Sequence, residues 1–410
     1  MEVNGNRIKH EMEHLSNYND TPGDGITRFS YSKNDISVRE YLLKQFEDLG
    51  LSVRVDSVGN IFATLIGEDP ELLPVYCGSH IDSVKNGGMF DGMVGVIAAL
   101  EVVRVIVTES YRPKRSIVVV VFSEEEGSNF QVPVLGSKVL VGKLGVDDLK
   151  SIKNGDGRTA YEIIKAAGFN PDSISQDIIP KGSIKAMVEL HIEQSVRLDK
   201  EKHPIGIVNG IAGLQWLKVT VKGCSNHAGA TPMNLRNDAL VATSQMVVDI
   251  SEGVKTISNT TVATVGHVEI KPNIPNAIPG EVKFTVDIRD IFQENIDRMV
   301  GMVFEMATKY SDKYEVQIEV EKLAKSETIK IPEYMLKSME ENAKRRNIDY
   351  ILMPSGAVHD SNYMASVTDV GMIFVPSIDG RSHVKEEYTS WDDIKLGGDL
   401  LLATILDLAT

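Results

Sequence analysis

Five stretches of this sequence carry side chains able to bind divalent cations and move protons: His80-Ile-Asp82, Asp91, Glu124-Glu125-Glu126, His191 and His383. Imidazole and carboxylate together suit zinc, manganese, cobalt or nickel. Each stretch also has an ordinary reading. A histidine at a strand end is commonly a hydrogen-bonded core or surface residue, Asp91 in Gly-Gly-Met-Phe-Asp-Gly could simply cap a helix, and three glutamates could form a solvated loop. Position favours chemistry. Cys77-Gly-Ser-His80, Ser123-Glu-Glu-Glu126, His191 and, a little later, Ser382-His383 all come after apolar runs that read as strands. In open α/β sheets the crevice beyond the strands' carboxyl ends is where ligands bind. Carboxylates after a core strand are costly to bury unless cations or protons relieve them. Successive residues there point in different directions, so Glu126 is placed to hold an ion while Glu125 faces a water as general base. Asp82, two residues from His80, is placed to fix the orientation of that imidazole.

Other chemistries lack their signatures. There is no Gly-x-Ser-x-Gly elbow, and Gly92-Met-Val-Gly95 matches neither GxGxxG nor a Walker loop. Cys77 and Cys224 lie far apart and outside any CxxC pairing, which argues against a thiolate zinc site, a catalytic thiolate and a disulfide framework, and for a reducing compartment.

The elements that must position these residues read as α/β. Val38, Tyr41, Leu42 and Phe46 recur at helical spacing up to Gly50, and LSVRVD then alternates as a strand. A strand at Leu73 to Cys77, a helix through Ala98 and Val103 and a strand from Ile117 to Phe122 predict parallel crossovers with helices on both faces. Ala186 to Leu190 is a further strand leading into His191. After Gly213 the texture changes: alternating strands at 217–221, 262–269 and 282–288 surround helices near 239–250 and 293–308, the second with Ile296, Met299, Val300 and Val303 on one face. From Pro332 the first texture resumes, with a helix to Arg345, strands at 350–353 and 371–375, and a last helix from Trp391. The expected domains are therefore 1–212 with 327–410, and an inserted α+β domain at 213–326.

At 410 residues the chain has enough apolar content for two cores. The N-terminal MEVNGNRIKHEMEHL has no apolar stretch behind its charges, and no run reaches the ~20 apolar residues of a membrane span. A cytoplasmic protein without membrane partners is expected. The net charge of −15 is spread along the chain with no basic stripe, which argues against nucleic acid.

Taken together, GSHIDSVKNGGMFDGMVGV, FSEEEGSNF, VELHIEQ, NHAGATPMNLRND, PNAIPGEVKFTVDIRD, PSGAVHDS and FVPSIDGRSH resemble the hydantoinase/carbamoylase branch of the M20 metallopeptidase-like amidohydrolases. The seven blocks occur in the family's order through nearly the whole chain. The resemblance implies a metal-binding α/β/α catalytic domain, discontinuous in sequence, with an inserted α+β lid that also forms a homodimer. It implies two divalent ions per subunit, zinc first among the candidates. His80 and His191 would hold one, Glu126 and His383 the other, and Asp91 would bridge them. Glu125 would be the general base, and His227 the donor to the oxyanion on lid closure, supplied by the partner subunit. Arg289 and Asn276 match positions that grip the α-carboxylate of a small anionic substrate, with Gln194 and the backbone at Gly356 placing its amide. Arg236 and Asp238 also match, although a helix start or an ion pair explains them equally well, and His359-Asp360 reads as structural support. Asn129, Ser195, Val358 and the segment Val384-Lys385-Glu386 depart from the family pattern.

The activity implied is hydrolysis of an N-carbamoyl-L-amino acid to the amino acid, ammonia and carbon dioxide. Allantoate amidohydrolase is the near alternative, followed by β-ureidopropionase or an N-acyl-L-amino acid deacylase. The surroundings of the carboxylate clamp discriminate: an apolar pocket favours amino acid side chains, extra polar donors favour allantoate. A non-catalytic small-molecule binding protein is the reading from another class, and it leaves Glu125 without a purpose.

Overall fold

The computed structural model describes residues 1–410, which divide into two units. The first comprises Met1–Asn209, Ile331–Met353 and Val358–Thr410, the second Gly210–Lys330 and Pro354–Ala357. The boundaries differ from those expected at 213 and 326, and residues 354–357, expected in the catalytic domain, group with the second unit. The reason is local bonding. Ala212 donates its amide to the Ser355 carbonyl at 2.9 Å, and Arg289 Nη1 donates to the Gly356 carbonyl at 2.9 Å.

The strands in chain order are β1 Ser52–Val55, β2 Ile61–Leu65, β3 Val75–His80, β4 Ile117–Phe122, β5 Ala186–Ile192, β6 Gly206–Ile211, β7 Gly213–Lys222, β8 Val262–Lys271, β9 Glu281–Asp290, β10 Gln317–Ser326, β11 Ile329–Lys330, β12 Ile351–Ser355 and β13 Val370–Val375. In the first unit β4, β3, β5 and β13 lie side by side and parallel. Every residue of β4, β5 and β13 is buried, the signature of parallel strands covered on both faces. Helices supply that cover. Gly397 of the helix Trp391–Leu408 packs on Leu190 and Val375, while Ser361 of the helix Asp360–Met364 donates to Glu189 from the opposite face at 2.5 Å. Leu190 and Glu189 are neighbours in one strand, and their side chains therefore point to opposite faces. The expected parallel crossovers describe the centre of the sheet only. Towards its edges β2 and β1 on one side and β6 on the other run antiparallel.

The second unit is a four-stranded antiparallel sheet in the order β10-β7-β9-β8. Leu217, Val219 and Val221 pair with Val286, Phe284 and Val282, and these alternate residues form one apolar face. Against it pack Ala242, Met246 and Ile250 of the helix Ala239–Gly253 and Ile296, Met299, Val300 and Val303 of the helix Gln293–Tyr314. No helix in the chain is long and apolar enough to cross a membrane.

The two cysteines are unpaired and sit in contrasting places. Cys77 is buried in β3 and Cys224 is exposed, and burial pushes the Cys77 thiol up to about 12. The native protein is expected to present one thiol to Ellman's reagent and two after unfolding in denaturant. Rapid modification of both in the native state would contradict this packing of β3.

Candidate metal centre

The carboxyl ends of β3, β4 and β5 meet because the three strands are parallel neighbours. His80 is the last residue of β3 and pairs with Phe122, the last of β4. The Glu124–Glu126 run begins two residues beyond Phe122. His191 lies in β5 and pairs with Phe374 of β13. Asp91 stands in a turn just before the helix Met93–Thr108. The next residue, Gly92, has φ +63°, and a Cβ there would lie 2.3 Å from the His80 ring. Only glycine admits both the left-handed backbone and the imidazole.

These side chains form two groups that share Asp91. Its Oδ1 is 3.5 Å from His80 Nε2 and 3.3 Å from His191 Nε2, and the two imidazole nitrogens are 3.5 Å apart. Its Oδ2 is 3.4 Å from His383 Nε2, which is also 3.3 Å from Glu126 Oε2. The donor atoms of His80, Asp91 and His191 all lie within 4.8 Å of one another, as do those of Asp91, Glu126 and His383. The structure thus brings together all five sequence-predicted ligands.

The backbone fixes which ring nitrogen carries the proton. His80 Nδ1 lies 3.1 Å from the Asp82 carbonyl and His191 Nδ1 lies 3.0 Å from the Ile192 carbonyl. A carbonyl only accepts, so each Nδ1 carries hydrogen and each neutral ring turns the lone pair of Nε2 toward Asp91. Asp91 Oδ1 and Glu126 Oε1 are buried with no hydrogen-bond partner, a cost of about 1–3 kcal/mol for each group. Gly92 donates its amide to His191 Nε2 at 3.3 Å, and Gln194 and Ser382 donate to Asp91 Oδ2. Asp91 Oδ1 and Glu126 Oε1, by contrast, converge on the imidazoles without a donor, which a divalent cation satisfies, and the residues present fit one.

Electrostatics points the same way. Burial, then Asp91, pushes Glu126 up to about 8, and burial carries Glu125 well above the carboxylate range. Burial works against a charged His80, but Glu125, Asp82 and Asp91 outweigh it and hold the imidazole well above its ordinary value. The hydrogen bond with Asp91 is the main reason that His383 rises to about 9. Crowded buried carboxylates and imidazoles of this kind favour a bound cation.

Glu125 Oε2 stands 3.6 Å from His80 Nε2, beside the first group and outside both. Asp82 does something other than orient the ring through its carboxylate. The His80 Nδ1 to Asp82 Oδ1 separation is 3.6 Å, and the backbone carbonyl takes the imidazole proton instead. The Asp82 carboxylate accepts the amides of Glu125 and Glu126 at 3.2 and 3.1 Å, so it sets the turn that presents both glutamates. Gln194, at φ +58°, donates through Nε2 to Asp91 Oδ2 at 2.7 Å and lies 3.4 Å from His383 Nε2. His359 is buried with its ring 4.6 Å from that of His191, and with Glu189 and His191 it forms a further group whose ligand atoms lie within 4.8 Å of one another.

Glu387 escaped the sequence reading. This buried carboxylate accepts the amides of Phe90 and Asp91 at 3.0 and 3.1 Å. Ser382 Oγ is 2.8 Å from Asp91 Oδ2 and 3.2 Å from Glu387 Oε2. Its only signal was its place four residues after His383, directly beyond the segment Val384-Lys385-Glu386 that departs from the family pattern.

The remaining expected residues lie in the second unit. His227 is exposed, and its Nδ1 accepts the amides of Gly229 and Ala230 at 3.1 and 3.2 Å. The neutral ring therefore carries hydrogen on Nε2. Asn276 is exposed beside it, its carbonyl accepting the Ala228 amide at 2.9 Å. Arg236 donates to the carbonyls of Ala228 and Thr231 and so braces the His227 loop, while Asp238 caps the helix Ala239–Gly253 through the amides of Leu240 and Val241. Arg289 is held side-on by Asp287, Nε to Oδ1 at 3.0 Å and Nη2 to Oδ2 at 2.9 Å. Its third contact is the Gly356 carbonyl.

The profile of Peptidase family M20/M25/M40 matches residues 76–407. The chain is 38% identical to an N-carbamoyl-L-amino-acid amidohydrolase of Paenarthrobacter aurescens over 97% of this chain and 96% of that one. It is 35% identical to a ureidoglycolate hydrolase of Arabidopsis thaliana (100% and 87% covered) and 34% identical to an allantoate amidohydrolase of Escherichia coli K12 (98% and 97%). A crystal structure of a hydantoinase/carbamoylase family amidase from Burkholderia multivorans superposes with a TM-score of 0.92 at 31% identity, covering 100% of this chain and 98% of that one.

Because Asp91 serves both groups, Asp91→Ala is expected to reduce bound divalent metal to a trace when measured by plasma emission spectroscopy after gel filtration. One full equivalent retained would show that the carboxylate is not shared. Restoring metal to chelator-treated wild-type protein at a hundred times its dissociation constant is expected to stabilise it by about 2.7 kcal/mol, read as a rise in Tm.

Proposed function

We propose that this chain, which belongs to peptidase family M20/M25/M40 and to its hydantoinase/carbamoylase amidases, hydrolyses N-carbamoyl-L-amino acids to the amino acid, ammonia and carbon dioxide. It is a hydrolase of carbon–nitrogen bonds other than peptide bonds. The observation that carries the narrower reading is the surroundings of Arg289. A cavity of about 430 Å³ on the open face of the second sheet is lined by Arg289 and Asp287 together with Trp216, Val262, Thr264 and Thr285. Apolar side chains beside a guanidinium suit an amino acid side chain next to its carboxylate, and offer little to a second ureido arm.

In this reading His80, Asp91 and His191 would hold one divalent ion and Asp91, Glu126 and His383 a second, zinc first, with manganese, cobalt or nickel compatible with the same donors. Bound there, two cations lower the pKa of a water and polarise the ureido carbonyl. Glu125 takes the water's proton and delivers it to the leaving nitrogen. His227 donates its Nε2 hydrogen to the oxyanion. Gln194 orients the amide through the Nε2 group that now rests on Asp91. With Nε and Nη2 on Asp287 and Nη1 on the Gly356 carbonyl, Arg289 offers its remaining Nη hydrogens to the substrate carboxylate, which Asn276 also binds. The second unit serves as lid and as the interface of a homodimer. Val241 and Val248, exposed on the outer side of the helix Ala239–Gly253, support that interface.

Metal-loaded protein offered N-carbamoyl-L-methionine, its D-enantiomer, N-carbamoyl-β-alanine, allantoate and ureidoglycolate is expected to release L-methionine selectively, identified by mass. Cleavage of allantoate or ureidoglycolate alone would retain the centre and overturn the substrate. Glu125→Gln is expected to keep its metals and lose about 10²–10⁴-fold in kcat. His227→Ala is expected to lose about 10²–10³-fold with metal content unchanged. Full turnover in either variant would remove that residue from the mechanism.

A further inference from the structure

The two groups around Asp91 are supported unequally. His80 and His191 belong to adjacent parallel strands and are fully buried. The Asp91, Glu126 and His383 group rests on loops. His383 follows the end of β13 by eight residues, its side chain is 48% exposed, and its backbone is left-handed at φ +59°. Something other than a strand must hold this histidine against Asp91.

We propose that Glu387 is the positioning residue that does so, and that it determines occupancy of the Asp91, Glu126 and His383 position by a second divalent ion. One oxygen, Oε1, takes the amides of both Phe90 and Asp91, which fixes the backbone of the turn that aims the Asp91 carboxylate. The other, Oε2, faces Ser382 Oγ at 3.2 Å, and Ser382 donates to Asp91 Oδ2 at 2.8 Å. The Asp91 turn and the His383 loop, almost 300 residues apart in sequence, are thereby tied through one buried carboxylate. The turn is cut to admit it. A Cβ on Gly88 would lie 2.1 Å from Glu387 Oε1 and 2.4 Å from its Cβ, and no positive φ is recorded at this glycine. Space for Glu387, not backbone freedom, is what requires glycine here.

The inference rests on the two-ion reading, and one titration separates the two. Chelator-treated wild-type protein titrated with Mn²⁺ by calorimetry is expected to bind two ions per chain. A single ion in wild type would refute the two-ion reading itself. With two in wild type, E387A is expected to leave the tighter ion unchanged and weaken the other about ten- to a hundredfold, the range usual for residues that support metal ligands. G88A, which crowds Glu387 without removing it, is expected to do the same. E387Q is expected to bind both ions as wild type does, because its carbonyl oxygen can accept the two amides and its NH₂ can donate to Ser382 Oγ. A merely structural role predicts a different pattern, in which E387A and G88A weaken both ions alike or lower Tm without altering either affinity. That pattern, or loss of the second ion from E387Q as well, would overturn the proposal.

Discussion

Buried carboxylate charge gathered against three imidazoles is the constraint on which the centre of the first unit depends. Asp91 turns one oxygen to the lone pairs of His80 and His191 and the other to His383 beside Glu126. A divalent cation bound between such donors stabilises the folded state that assembles them, so metal binding and folding of the centre are linked. The glycines follow from that constraint. Gly92 lets the turn close on the His80 ring, and without the approach of turn to strand Asp91 could not face two strand-end histidines at once.

The surroundings are organised to hold backbone rather than to cancel charge. Asp82 accepts the amides of Glu125 and Glu126, Glu124 those of Asn129 and Phe130, and Glu387 those of Phe90 and Asp91. Each carboxylate fixes two successive amides of a loop that carries or adjoins a ligand. Arg28 does the complementary work. Buried, and lowered by that burial to about 10, it donates to the carbonyls of Ile81, Leu15 and Tyr18 and steadies the chain just beyond His80. Hydrogen-bonded networks of this kind position groups more firmly than packing alone.

Much of this was legible in the sequence because ligands obey a positional rule. Histidines and carboxylates after apolar strands mark the crevice of an α/β sheet, and His80, Glu126 and His191 stand there. What stayed hidden had no side-chain signature. Glu387 acts on backbone amides almost 300 residues away, and no local pattern reports such a partner. The Asp82 carboxylate, expected to orient an imidazole, proved to hold two amides, because the Asp82 carbonyl was already in place for His80 Nδ1. β10 was missed for a different reason: Gln317–Ser326 is an edge strand with charged residues through its length, and such charges protect an edge while erasing the apolar alternation that reveals a strand. The grouping of 354–357 with the second unit was also invisible, since Arg289 meets a carbonyl and carbonyls carry no sequence label.

His80, His191 and His227 show how backbone partners give one residue type opposite hydrogen patterns. In His80 and His191 a carbonyl faces Nδ1, so hydrogen stays on that nitrogen and Nε2 is left as an electron-pair donor. In His227 two amides face Nδ1, so the electron pair is committed there and Nε2 carries the hydrogen. The first arrangement suits a cation and the second an oxyanion. Neither is a property of imidazole alone. It is set by whether the fold offers the inner nitrogen an acceptor or a donor, and that choice is made by backbone groups within three residues of each ring.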